Sequence, residues 1–148
     1  MIDLFLWFAC IAYAIEYTFF LFGQRRVPGV RRQIPQAFPR VSVVVAARNE
    51  ARNIEQCLAS LARQDYPADL LQIVAVDDES EDSTHALMLD EASKHDRRID
   101  IVSTHNVEST ARGKARAIAH GIDHATGEII LLTDADCIAP TTWARATV

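Results

Sequence analysis

Two carboxylates one residue apart, Asp134 and Asp136, stand in the stretch Leu131-Leu132-Thr133-Asp134-Ala135-Asp136-Cys137, at the end of the aliphatic run Ile129-Ile130-Leu131-Leu132. That run does not alternate apolar with polar, which predicts a strand buried on both faces. The turn-like Thr126-Gly127-Glu128 introduces it. Side chains at i and i+2 of an extended segment point the same way. The two aspartates are therefore expected to converge at the strand's C-terminal end while small Ala135 turns aside. Converging negative charges favour a cation, and hard oxygen donors suit Mg²⁺ or Mn²⁺, which bind through one or two carboxylates with substrate phosphates completing the shell. An isolated D-x-D is also what a solvated, helix-capping turn looks like, so the surrounding elements must decide.

Those elements alternate. Val41 to Ala47 reads as a buried strand ending in Arg48-Asn49-Glu50. Ile54, Cys57, Leu58 and Leu61 then recur at i, i+3, i+4 and i+7, an amphipathic helix for which Asn49 is a plausible N-cap. After the turn Asp65-Tyr66-Pro67, Leu71 to Val76 predicts a second strand, stopping at Asp77-Asp78. Asp82 or Ser83 caps a helix reaching Lys94, and Ile99 to Val102 is a short third strand. A third helix, Gly113 to His120, is closed by Gly121, and the Ile129–Leu132 strand comes next. This order predicts an α/β fold with right-handed crossovers, a mainly parallel sheet and helices on both faces. In such sheets ligands bind beyond the carboxyl ends of the strands. Arg48-Asn49-Glu50, Asp77-Asp78 and Asp134-Ala135-Asp136 all fall on that edge, which shifts the aspartate pair from turn to site.

The N-terminus is of another kind. Residues 2–22, IDLFLWFACIAYAIEYTFFLF, are apolar apart from Asp3, Glu16 and the interface-tolerant Tyr13, Tyr17 and Thr18. At about 1.5 Å per residue they extend about 30 Å, the thickness of a bilayer core. A start of Met1-Ile2-Asp3 lacks the positive n-region of a signal peptide, so a retained transmembrane helix is expected, with Glu16 as a helix-packing residue. Residues 23–40 form a linker interrupted by Pro28, Gly29, Pro35 and Pro39. Its five arginines, Arg25, Arg26, Arg31, Arg32 and Arg40, predict a single-pass membrane protein whose residues after 22 are cytoplasmic. Residues 41–148 are the expected domain. They hold 18 acidic residues (20 less Asp3 and Glu16) against 10 basic ones (15 less the linker arginines), which argues against nucleic acid as a partner. Cys10, Cys57 and Cys137 are scattered and odd in number, pointing to reduced thiols, and without C-x-x-C no zinc site is expected.

In content and order, VSVVVAARNEARNIEQCLASL, IVAVDDESEDST, RGKARAIAHGI and GEIILLTDADC resemble the nucleotide-sugar-binding half of inverting glycosyltransferases of family 2, which have a Rossmann-like GT-A fold. The resemblance spans Val41 to about Trp143. It implies that Ala47, Glu50 and especially Asp78 contact the nucleobase, where a carboxylate can accept from an imide N–H of uracil or a similar base. It places Lys114, and Arg112 beside it, near the diphosphate at a helix N-terminus, where free N–H groups already favour an anion. It makes Asp136 the ligand of Mn²⁺ or Mg²⁺ and sets Asp134 near the ribose or the metal. Glu79 stands where the family commonly has glycine. Cys137 is expected to pack, and His120 and His124 to lie on a helix surface.

The resemblance implies a membrane-anchored glycosyltransferase taking a nucleotide-diphosphate sugar, with a UDP-sugar favoured, and transferring it to a lipid or polysaccharide acceptor. The general base of an inverting transfer lies well beyond the D-x-D in that family. It is expected after Val148, so the 148 residues alone should bind a donor rather than turn it over. Three other readings compete. A non-catalytic nucleotide-binding scaffold would keep the same donor motifs. A receiver-type signalling domain would carry its acidic pair after the first strand, and a nucleotidyltransferase would have a glycine-rich loop there; AARNEARN has neither.

Overall fold

The structure is a computed structural model describing residues 2–25, 37–105, 107 and 111–148. It divides into two units, residues 1–35 and 36–148. In the first, helix α1 spans Ile2–Arg25, three residues beyond the expected limit of the apolar segment. Its stretch Leu6–Gly23 is exposed throughout and has a mean hydropathy of 1.5, long and apolar enough to cross a membrane. The rings of Tyr13 and Tyr17 stack on it at 6.4 Å. The central linker residues 26–36, with Arg26, Arg31 and Arg32, lie outside the described residues.

The second unit is built on four parallel strands, β1 (Val41–Ala47), β2 (Leu71–Asp77), β3 (Ile99–Ser103) and β4 (Ile129–Asp134), in the order β3-β2-β1-β4. Helices α2 (Ile54–Ala62), α3 (Thr84–Ser93), α4 (Lys114–Asp123) and α5 (Trp143–Thr147) accompany them. Strands β1 and β2 are buried on both sides, which is why their sequences do not alternate. Val41, Val43, Val45, Ile73 and Ala75 pack with Ile54, Cys57, Leu58 and Leu61 of α2 and Met88 of α3. Val44, Val74 and Val76 face Ala117 of α4 on the other side. The helix expected from the i, i+3, i+4, i+7 spacing thus buries those four residues. Arg97 closes the end of α2, its guanidinium donating to the carbonyls of Ala62, Gln64 and Tyr66 at 2.9 to 3.1 Å.

Several sequence expectations shift. Gly121 does not close α4 but lies inside it, because the helix must approach the sheet closely there. A Cβ at Gly121 would come within 2.4 Å of Val44 Cγ1 and 2.8 Å of Val76 Cγ2. Gly121→Ala is therefore expected to destabilise the fold by about 1–2 kcal/mol, overpacking exceeding the gain in helix propensity. A denaturation midpoint that falls with unchanged slope would show this; an unchanged midpoint would contradict it. Asn49 does not cap α2, whose first turn instead starts from the Glu50 carbonyl, accepting from Asn53 and Ile54 at 2.9 and 3.0 Å. Helix α3 keeps the expected start, with Ser83 as the residue before its first turn at Thr84 and the Asp82 carboxylate accepting from the Thr84 N–H at 2.9 Å.

Strand β4 is not buried on both faces. Leu131 is buried, but Ile130 and Leu132 are 37% and 51% exposed. Among the described strands β4 is outermost on its side, and α4 packs over β1 and β2, leaving that strip of β4 open.

Candidate functional site

The register levels the strand ends. Ala47 pairs with Asp77, Asp77 with Ser103 and Ala46 with Asp134, so the loops leaving the strands emerge along one edge. From β1 the chain passes outward through β2 to β3, then returns to the other side of β1 as β4. A crevice opens at such a reversal. Here it is an open pocket of about 320 Å³ lined by residues at the ends of β1, β2 and β4 and by the start of α4.

Six of the seven sequence-assigned residues line that pocket: Ala47, Glu50, Asp78, Lys114, Asp134 and Asp136. Arg112 does not; it is exposed just before α4. Gly113, also on the pocket wall, has φ +56°, a backbone state that glycine adopts without steric cost and that lets α4 start beneath the crevice. Arg48 joins the lining as well.

Asp134 and Asp136 come together by a different route from the one the sequence suggested. Strand β4 ends at Asp134, and the Cys137 N–H donates to the Asp134 carbonyl at 3.2 Å. The pair thus sits on a tight turn, not on an extended segment, with Ala135 buried between two exposed carboxylates. From below, the Cys57 thiol donates to the same carbonyl at 3.6 Å. Burial, then the neighbouring Cys137, Asp136 and Asp134, push that thiol up to about 12, so it stays protonated as a donor that holds the turn. Cys137, expected to pack, is instead exposed, its thiol 3.7 Å from Asp136 Oδ1.

Lys114 reaches across to Asp134 Oδ1 at 2.5 Å. That hydrogen bond raises the ammonium's affinity for its proton, with burial opposing it. A cation is thereby already drawn to the carboxylate, although both groups are more than half exposed and such a pair is weak by itself.

Asp78 is the buried charge of the site, 3% exposed. Its backbone N–H donates to the Ala47 carbonyl at 2.8 Å, locking the two loops at the ends of β1 and β2. Its Oδ1 accepts from the Thr104 hydroxyl at 2.8 Å and from Arg116 Nη2 at 2.7 Å. Burial raises this carboxyl's pKa, but the bonds from Arg116 and Thr104 outweigh it and hold it below the usual carboxylate range. Arg116 also pairs with Glu79 at 3.2 Å. From sequence, neither Thr104 nor Arg116 had a role. Arg116 could have been suspected from its place two residues after Lys114, but no short-range pattern points to Thr104. Asp77 has a structural part: its Oδ1 accepts from the Ser80 N–H at 3.3 Å, and His85 stands 3.4 Å from its Oδ2.

For a divalent cation, the donor chemistry fits on one condition. Among the described residues no group of three His, Cys, Asp or Glu side chains is placed to hold a metal, so an all-protein cage is not available. Asp134 and Asp136 can supply one or two oxygen ligands, with phosphate and water completing the shell, as Mg²⁺ and Mn²⁺ accept.

Known proteins resemble this chain in sequence and fold. The model of the family described as Glycosyl transferase family 2 matches residues 42–148. Glycosyltransferase AglE of Haloferax volcanii is 30% identical over 105 residues, covering 71% of this chain and 33% of the relative. Among solved structures, mannosyltransferase PcManGT from Pyrobaculum calidifontis, in complex with GDP-Man and Mn²⁺, superposes with a TM-score of 0.76 at 36% identity, over 89% of this chain and 37% of that one. S. aureus TarS in complex with UDP does so with a TM-score of 0.60 at 26% identity, over 73% and 30%. The chain thus spans about a third of the length of these proteins. Their likeness is one of fold, a mainly parallel GT-A-like α/β sheet, and all six pocket residues assigned from sequence fall inside the span of the family model. With that match covering well over half of the sequence, the chain belongs to glycosyl transferase family 2.

Proposed function

We propose that residues 41–148 form the donor-binding part of a membrane-anchored glycosyltransferase that takes a nucleotide-diphosphate sugar for inverting transfer. The observation that carries this is the convergence of the buried Asp78, the helix-start Lys114 and the Asp134/Asp136 turn on one crevice. In this reading Asp136, with Asp134, holds Mn²⁺ or Mg²⁺, and the cation supplies charge stabilisation as the nucleoside diphosphate departs. Lys114, at the first position of α4, releases Asp134 and meets the diphosphate, where the helix N-terminus adds N–H donors. Arg112, outside the pocket, has at most a long-range electrostatic part.

Asp78 reads the base, with Ala47 and Glu50 on the adjoining wall. Its Oδ1 is already engaged by Thr104 and Arg116, which leaves Oδ2 for the ligand. One acceptor matches the single imide N–H of uracil better than the adjacent N–H and NH₂ donors of guanine, and this favours a UDP-sugar. The GDP-Man complex of PcManGT supports guanine as the competing reading. Competition binding with UDP, GDP, UMP and inorganic pyrophosphate, each with Mn²⁺, tests both. UDP at least about tenfold ahead of GDP and of UMP is expected; GDP ahead of UDP would reverse the base assignment, and UMP equal to UDP would remove the diphosphate site.

The anchor rests on α1, long and apolar enough to span a bilayer, and the cytoplasmic side on the arginines that come after it. A lipid or polysaccharide acceptor would suit a domain held at a membrane.

A further inference from the structure

The two loops that carry the pocket's base wall are tied to each other by side chains that line no part of it. We infer that Asn49, Asp82 and Thr84 form an interlock that positions the nucleobase wall, acting on the ligand only through the backbone of the β1–α2 and β2–α3 loops. This rests on the nucleotide-binding reading above.

Besides the backbone bond from the Asp78 N–H to the Ala47 carbonyl, four hydrogen bonds with a side-chain partner cross between the loops. The Asn49 N–H donates to Ser80 Oγ at 3.0 Å, and the Glu81 N–H returns to Asn49 Oδ1 at 2.8 Å. The Glu50 N–H donates to Thr84 Oγ1 at 2.8 Å, and the Ala51 N–H to Asp82 Oδ2 at 3.3 Å. The Thr84 hydroxyl in turn donates to Asp82 Oδ1, so one threonine accepts from the first loop and donates a hydrogen bond to the aspartate that accepts from the same loop. Thr84 is fully buried, where a hydroxyl without partners would be costly.

Both loops also carry a residue in the left-handed region, Asn49 at φ 56° and Glu79 at φ 57°. Asparagine tolerates that state; glutamate does so less readily. The strained Glu79 directly follows Asp78, and its carboxylate is held by Arg116. Strained backbone persists only where its surroundings over-determine it, and here the crossing bonds and the Arg116 pair do so on either side of the residue that reads the base. Glu50, on the other loop, reaches the pocket one residue after Asn49. The interlock therefore fixes where Arg48 and Glu50 stand relative to Asp78.

The test uses the full chain in detergent solution and three variants. Thr84→Val keeps the shape and removes the hydroxyl; Thr84→Ser keeps the hydroxyl and serves as the rescue. Asn49→Gly, at an exposed position, keeps the positive φ and removes Oδ1. Affinities for UDP and for inorganic pyrophosphate are measured with Mn²⁺, alongside amide hydrogen exchange across residues 48–52 and 79–83. Thr84→Val and Asn49→Gly are expected to weaken UDP at least fivefold, leave pyrophosphate within twofold, and speed exchange in both loops while β1 and β2 stay protected; Thr84→Ser should behave as the parent. Unchanged UDP affinity in both variants, or equal losses for UDP and pyrophosphate with exchange rising through the strands, would overturn the interlock. A parent chain that binds UDP no better than pyrophosphate would instead overturn the base-site reading on which it rests, and the interlock's role with it.

Discussion

Asp136→Ala removes metal-dependent nucleotide binding. The expected loss is more than about 100-fold in the Mn²⁺-dependent part of the affinity, since even a residue standing behind a metal ligand commonly costs 10–100-fold and Asp136 is assigned as a ligand itself. The fold should be untouched, because Asp136 is exposed and the turn is held by the Cys137 N–H and Cys57 thiol on the Asp134 carbonyl. Calorimetric titration of parent and variant with UDP, with and without Mn²⁺, measures this. The residual affinity of the variant should equal that of the metal-free parent. A variant that still gains affinity from Mn²⁺ would move the cation off this turn. The Lys114 contact with Asp134 adds a directional check: a cation bound at Asp134 must displace that ammonium, so Mn²⁺ alone should bind weakly until a diphosphate gives Lys114 another partner.

Asp78→Asn separates base recognition from stability. An asparagine can turn its carbonyl oxygen to Arg116 and Thr104, but its NH₂ then faces the imide N–H of the base, donor against donor. UDP affinity is expected to fall by about 10–100-fold, the range of a lost hydrogen bond to a charged group, while pyrophosphate binding is retained. The pH dependence has a definite sign. The native pKa of Asp78 lies below its ordinary value, so its contribution to stability is fully present above an unfolded pKa of about 3.9 and is lost as pH falls through the lower native value. Between pH 5 and 8 the parent and the Asn variant should keep a constant stability difference; toward pH 3 the difference should shrink. A variant with undiminished UDP affinity would place the base elsewhere, and a difference that grows on acidification would contradict the ion pair with Arg116.

Much of this arrangement was legible in the sequence because it depends on local pattern. Alternating strand and helix signals, each strand closing on polar residues, fix a parallel sheet whose ligand edge can be named before any coordinates. Asp78, Lys114 and the aspartate pair all lie on that edge. The features that escaped depend on distant contacts. Lys114 and Arg116 are two residues apart, about 200° of helical turn, and reach opposite sides of the crevice, Asp134 at the end of β4 and Asp78 just after β2; the segment alone does not say which takes which. Asn49 has the composition of a helix cap, yet a partner loop 31 to 32 residues away claims its N–H and side chain. The aliphatic run of β4 promised burial on two faces, but burial depends on what packs there, and α4 covers its neighbours instead. Arg112 shares the charge and flanking of Lys114 and differs only in falling before the helix, outside the crevice.

The most direct test of the donor site is a titration of the whole chain with UDP in the presence and absence of Mn²⁺. Saturable, one-to-one binding that strengthens at least about tenfold with Mn²⁺ is the predicted result, since the two carboxylates cannot complete a metal shell without the diphosphate. A folded chain that binds UDP no more tightly with Mn²⁺ than without it would contradict the account, and would leave Asp134 and Asp136 as the polar turn at the end of a strand.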